Sequence, residues 1–298
     1  MSQSASLFDA FERLEGKSTK VECRDTVVKA PFGYPGGKSR SVPHLMKHLP
    51  YTGRYVEVFG GSGVTLLNRH AEKFEVYNDR FGGVVDFYKC VKDPVLVDSL
   101  IEYLDYTVKS REMFLDYQGL MVTSKDPVER AACWYYMIQH SFSTLGRNFG
   151  RDLKRTDNKI NSHFPLFKQT HNRLRNVLIE NLDWAICLKD FDDHDTVFYC
   201  DPPYMNTTVS GNLYEHAMTQ KDHIDLCEMI HHTKGYVALS GYENEIYMTY
   251  PWDDIQMWDV HISMTSLAFT DTNGHENLQD RITRGSRTER LYIKYARG

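Results

Sequence analysis

Asp201-Pro202-Pro203-Tyr204 puts a carboxylate, two stiff carbonyl-bearing residues and an aromatic ring in four consecutive positions. Proline fixes its φ and has no N–H, so this backbone offers acceptors rather than donors. A rigid acceptor cluster beside a ring suits a flat, amino-bearing group such as the N6 edge of adenine. On its own, such a tetrapeptide is more simply a strand-ending turn, so context must decide. The apolar run Thr196 to Cys200 precedes it and reads as a buried strand, and the polar stretch Met205 to Gln220 follows. The mouth of a strand is where open α/β sheets bind ligands.

A second constellation lies upstream. Tyr55 to Phe59 reads as a strand running into Gly60-Gly61-Ser62-Gly63, and Val64 to Ala71 as a helix. A glycine turn between strand and helix lets a ligand approach the backbone. The dinucleotide pattern needs Gly or Ala at 66, where Leu66 stands. The nearest phosphate-loop candidate, Gly33 to Ser39, has its first glycine one residue too close to Gly37-Lys38. An adenosyl cofactor without a pyrophosphate remains. Asp79, ending the strand Phe74 to Asn78, is placed to accept both ribose hydroxyls. Asp183, after the strand Val177 to Glu180, is placed to accept from the cofactor's adenine amine. Either acid reads equally as a helix cap.

The elements that must position these residues follow from periodicity. Residues 42–49 look helical, 82–141 mostly helical, and Pro127 to Ser141 carries an apolar stripe behind a first-turn proline. Residues 142–168 lose periodicity and read as an irregular insertion. A helix over 169–176, the strand to Asp201, a helix over 220–232 and a strand Tyr236 to Ser240 follow. Strands near 255–262 and 290–296 close the pattern, with a polar Gly-Asn-Arg loop between them. Strand, glycine turn, helix and strand make a βαβ opening. Residues 1–29 read as a weakly ordered extension.

Bulk properties exclude several classes. The 298 residues and 41% apolar content support one large domain with an insertion, or two domains. No stretch approaches the roughly 18 apolar residues of a membrane span, and Met1 to Gly16 has no secretory pattern. Six cysteines without CxxC spacing argue against zinc or a disulfide framework and for a reducing, cytoplasmic setting. Net charge is −5, yet Arg147 to Arg175 holds eight basic residues against two acids. Arg281, Arg284, Arg287, Arg290, Lys294 and Arg297 face only Glu289 in a second run. Basic patches on an acidic chain point to a polyanion, although a charge run is usually a solvated face.

The order YPGGK, VEVFGGSG, YNDR, basic insertion, NLDW, DPPY resembles the Dam-type DNA adenine-N6 methyltransferases over roughly residues 31–296. The resemblance implies a Rossmann-like α/β fold with a mixed seven-stranded sheet and S-adenosylmethionine as cofactor. It implies double-stranded DNA as partner, no membrane and no metal, and a monomer or weak dimer in a bacterial or phage-infected cell. The catalytic domain would comprise 30–90 and 176–298, and a mostly helical recognition insertion 91–175. Tyr34 and Lys38, then Phe59, Gly61 and Gly63, then Asp79, Asp183 and Asp201 would contact cofactor. Asp201, Pro202, Pro203 and Tyr204 would be catalytic. Arg147, in Ser141 to Asn148, takes the place of a guanine-reading arginine, beside Asn148. Arg151, Lys154, Arg155, Arg284 and Arg287 would meet DNA. The family's FNVPFG stretch has no counterpart, which leaves a GATC target open.

The chemistry this implies is direct methyl transfer to N6 of a flipped base, with Asp201 and the Pro202 carbonyl accepting from the amine and Tyr204 stacking. Cytosine-N4 methylation is the nearest alternative. A catalytically idle DNA-binding module on the same fold is another.

Overall fold

A computed structural model of the chain describes residues 29–141, 146–150, 159–204, 218–261 and 286–297. Strands β1 (Arg54–Glu57), β2 (Phe74–Asn78), β3 (Val177–Glu180), β4 (Thr196–Cys200), β5 (Tyr236–Gly241), β6 (Asp254–His261) and β7 (Ser286–Lys294) form one sheet. Its order is β3-β2-β1-β4-β5-β7-β6. The first five strands are parallel, and β7 enters antiparallel between β5 and β6. This is the mixed seven-stranded α/β sheet that the sequence resemblance implies.

The strand order reverses at β1, which pairs with β2 on one side and β4 on the other. A crevice opens outside the carboxyl ends of such a pair. Every residue of β4 is buried, as expected for a parallel strand covered on both faces. Alternate side chains feed two cores. Tyr55, Tyr77 and Tyr199 join Phe87 and Trp134 on one face. Val56, Phe198 and Leu239 join Leu226 and Tyr247 on the other.

Between β2 and β3 lie α3 (Gly82–Lys92), α4 (Leu96–Asp105), α5 (Arg111–Thr123), α6 (Pro127–His140) and α7 (Phe164–Leu174), after α1 (Val42–His48) and α2 (Val64–Asn68). Pro127 starts α6, and the Asp126 side chain caps it at the Val128 N–H. Residues 131–138 of α6 are all buried, so the helix runs through the core rather than along its surface. Phe32 packs edge-on to Phe87 and Trp134, tying the YPGGK turn to these helices.

Some boundaries differ from the sequence reading. Residues 160–174 are helical, a 3₁₀ turn (Ile160–His163) leading into α7, where an irregular segment to 168 was expected. Pro165 sits in the first turn of α7 and starts it five residues early. A short helix α8 (Trp184–Asp190) fills the link between β3 and β4. Helices α9 (Gln220–His232) and α10 (Glu245–Met248) complete the described elements. The polar stretch Met205 to Gln220 lies outside the described residues except for Met218, Thr219 and Gln220, and Thr219 forms a capping box with Asp222 at the start of α9. The 1–29 extension lies outside them too, save Lys29.

Candidate active site

The crevice is a cavity of about 1060 Å³. Its wall includes Tyr34, Lys38, Phe59, Gly61, Asp79, Asp183 and the whole of Asp201 to Tyr204. It is large enough for a nucleoside-sized cofactor with a base beside it.

At one end the chain turns tightly after β1. Gly61 and Gly63 sit at φ +49° and +61°, backbone that side-chain-bearing residues adopt at a cost. A Cβ on Gly61 would lie 2.9 Å from the Tyr34 ring, so the absence of a side chain keeps the turn open beneath that ring. The Tyr77 hydroxyl donates to the Gly61 carbonyl at 2.6 Å, and the Tyr88 hydroxyl to that of Ser62 at 2.5 Å. Asp79 accepts from the Gly61 N–H at 2.7 Å and the Phe81 N–H at 2.8 Å. Its carboxylate thus braces the glycine turn while lining the cavity. Asp183 caps α8 through the Ala185 N–H at 3.0 Å and also lines the cavity. Both acids line the cavity, but only Asp183 has the capping contact that sequence allowed: the N-cap residue of α3 is Phe81, and Asp79 accepts from its N–H instead of capping the helix.

Asn78 was not singled out in the sequence. Its side-chain amide donates to Val58 at 2.9 Å and to Leu182 at 3.3 Å, and its oxygen accepts from the Leu182 N–H at 2.8 Å. One buried amide therefore clamps the ends of β1, β2 and the loop after β3, fixing Asp79 relative to Asp183.

At the other end Asp201 follows β4. Lys38 Nζ lies 2.9 Å from Asp201 Oδ1, with side chains only 6% and 18% exposed. The ammonium meets that oxygen as a charge without the alignment of a hydrogen bond. It also donates to the Gly36 carbonyl at 3.1 Å and sits 4.7 Å over the Tyr204 ring. The Tyr204 hydroxyl donates to Glu289 on β7 at 3.0 Å, and Glu289 lies 3.9 Å from the same ammonium. Burial pushes the Asp201 and Glu289 carboxyls above their ordinary range, and Lys38 opposes the shift in both. For Lys38, burial pulls the pKa down, but the two acids outweigh it and hold the pKa above the usual lysine value. The Asp201–Lys38 pair faces the cavity.

Glu57, the last residue of β1, also lines the cavity. It accepts from the Tyr55 hydroxyl at 3.1 Å and the Leu66 N–H at 2.8 Å. Burial raises its carboxyl to about 8.

The basic residues divide. Arg147 lines the cavity. Its carbonyl accepts from Gln118 at 3.0 Å, and Asn148 lies next to it, exposed, on the segment closed by the Ser141–Phe149 bridge. Arg287 is exposed beside the Tyr242 ring. Arg151, Lys154, Arg155 and Arg284 lie outside the described residues. Two cations counted in the basic runs are structural. Arg173 makes a bidentate pair with Glu75 at 2.6 and 2.7 Å, and Lys294 is buried against the Thr233 and Gly235 carbonyls. Both are committed to partners within the fold.

A model of the D12 class N6 adenine-specific DNA methyltransferases matches residues 34–265, most of the chain and both ends of the cavity. The chain belongs to that family. The methyltransferase is 24% identical to the DNA adenine methylase of Escherichia coli K12 over 197 residues, 62% of this chain and 68% of that protein. It is 23% identical to the DNA adenine methylase of Salmonella typhi over 281 residues, 85% of this chain and 94% of that one. The type II methyltransferase M.FokI of Planomicrobium okeanokoites is 23% identical over 295 residues, 91% of this chain but 43% of the larger enzyme. The methyltransferase therefore acts on adenine N6 in DNA, and the cytosine-N4 alternative falls. Among the described residues no helix is long and apolar enough to cross a membrane, and no group of side chains is arranged to hold a metal ion.

Proposed function

We propose that the chain takes its methyl group from S-adenosylmethionine and delivers it to an adenine rotated out of a specific double-stranded DNA sequence. The open turn at Gly61 under Tyr34, with carboxylates at two neighbouring strand ends, suits an adenosyl group whose hydroxyls and amine are donors and whose base is a flat ring. Tyr34, Phe59, Gly61, Gly63, Asp79 and Asp183 would hold it. When bound, it supplies a methyl group made electrophilic by a sulfonium charge.

The chain's own work is on the target amine. Adenine N6 is a weak nucleophile because its lone pair is shared with the ring. Asp201 and the Pro202 carbonyl accept its two N–H bonds and draw the nitrogen toward tetrahedral geometry. Positive charge grows on N6 as it takes the methyl, and Asp201 stabilises that charge. The proton then shed is already directed at an Asp201 oxygen. Tyr204 stacks on the flipped base, worth roughly 1–3 kcal/mol against the few kcal/mol that flipping costs. Orientation supplies much of the rate, and no covalent enzyme intermediate is needed.

The observation that carries this reading is Asp201 on the cavity wall, 2.9 Å from Lys38, with the glycine turn lining the same crevice. Arg147 would read a base, and Arg151, Lys154, Arg155, Arg284 and Arg287 would contact phosphates, in a cytoplasmic, DNA-associated monomer or weak dimer. Tritiated S-adenosylmethionine with duplex DNA, followed by nucleoside analysis, should place label in N6-methyladenine at one short sequence. Label scattered over all adenines, or transfer restricted to single strands, would sink the proposal.

A further inference from the structure

Glu289 is an acid buried in the sheet that the transfer chemistry does not call on. It lies on β7 opposite Trp258 of β6, and its neighbour Arg290 pairs with Gly241 of β5. Its side chain is 8% exposed. Burying a carboxylate is costly unless it is paired and hydrogen-bonded. Here it takes the Tyr204 hydroxyl at 3.0 Å and lies 3.9 Å from Lys38, on a ring that Tyr242 supports edge-on at 4.7 Å. One ammonium thus serves two carboxylates.

That arithmetic matters for the target amine. Asp201 alone with Lys38 would be a neutral pair, and a neutralised acceptor does little for a cation forming on N6. With both carboxylates ionised, Glu289 leaves the cluster with one net negative charge. We propose that Glu289 is a positioning residue of the transfer site: it shares the Lys38 ammonium with Asp201, so that one cation does not fully neutralise both carboxylates, and it fixes the Tyr204 ring by its hydroxyl. The inference rests on the function proposed above.

The test compares two substitutions by single-turnover methylation of a duplex carrying the mapped site. Glu289→Gln keeps an acceptor for Tyr204 and removes the charge. Glu289→Asp keeps the charge and shortens the reach. The expected result is a fall in kcat of about tenfold or more for Glu289→Gln, at KM values for DNA and cofactor within about twofold of wild type. Glu289→Asp should recover part of that loss. Equal rates for wild type and Glu289→Gln would overturn the proposal. So would Glu289→Asp proving slower than Glu289→Gln, since hydrogen-bond geometry rather than charge would then be the requirement. If Glu289→Gln melts well below wild type, the order of Glu289→Asp against Glu289→Asn decides the same point, because both keep an acceptor at the same reach and only the former keeps the charge. Absence of N6-methyladenine with the wild-type protein would instead strike at the function itself.

Discussion

The two ends of the cavity hold their acids in opposite ways. At the glycine turn, Asp79 and Asp183 are fixed by backbone N–H groups of the local turn and helix. At the Asp-Pro-Pro-Tyr corner, Asp201 and Glu289 depend on a single lysine side chain carried in from residue 38. Backbone donors do not titrate and do not swing away. A shared ammonium does both. On the proposed function, the glycine-turn end would be the cofactor end, built for constancy of shape, and the Asp-Pro-Pro-Tyr end the transfer end, built for a defined charge.

Breaking the transfer end should give the largest effect. Asp201→Ala removes the group that steadies the developing cation and should lower kcat by about 10²–10³-fold or more, with DNA affinity by gel shift largely kept. Retained turnover would show that the two ends do not divide the labour this way. Lys38→Met comes next. The ammonium opposes the burial that lifts Asp201, so its loss should lift that carboxyl further. Activity needs the ionised form and is lost as pH falls through this pKa. The acid limb of the kcat profile should accordingly move to higher pH by about 1–3 pH units. An unmoved limb would mean that Lys38 does not govern Asp201.

Glu57 tests the middle ground, since it is held by a backbone N–H like the cofactor acids yet titrates like the transfer acids. Its carboxyl rises from 4.5 to about 8 on folding. The folded state thus binds more protons than the unfolded chain in that window. Stability should fall as pH rises from 4.5 towards 8 and level off above, by at most roughly 1.4 kcal/mol per pH unit. Glu57→Gln mimics the protonated form and should flatten this slope in urea melts between pH 6 and 8.5. The smallest effect belongs to the cofactor end. Asp183→Ala should cost about 0.5–2 kcal/mol of stability through the lost cap, whereas Asp183→Asn, a good cap without charge, should cost only a few tenths. An equal loss in both would mean that charge matters at this end too.

Much of the frame was legible because local rules and tertiary structure agree. Strands β2 and β3 and helix α9 have the bounds read from apolar runs and turn residues. The order of glycine turn, acid, acid and Asp-Pro-Pro-Tyr was enough to anticipate one crevice. What escaped involves partners remote in sequence. Arg173 lies in a basic run, but its carboxylate is 98 residues away on β2. Lys294 looked like part of a phosphate patch, yet it alternates on a strand whose other neighbours are buried. Glu289 had a signal of its own: it shares the period-two face of Leu291 and Ile293, an acid where an apolar residue was due. Short α8 has no full amphipathic repeat, so only its cap marked it.

The insertion of β7 between β5 and β6 has a consequence for synthesis. Tyr204 meets its carboxylate 85 residues further along the chain. A ribosome-bound chain that stops short of residue 286 would carry the glycine turn, the Asp-Pro-Pro-Tyr corner and Lys38, but an open edge at β5 and no Glu289. Such a chain should occupy DNA poorly as a methylating agent, because long-range pairing of this kind forms slowly and late. Marking of the genome would then begin only with a fully translated molecule, and an incomplete one would leave no trace on it.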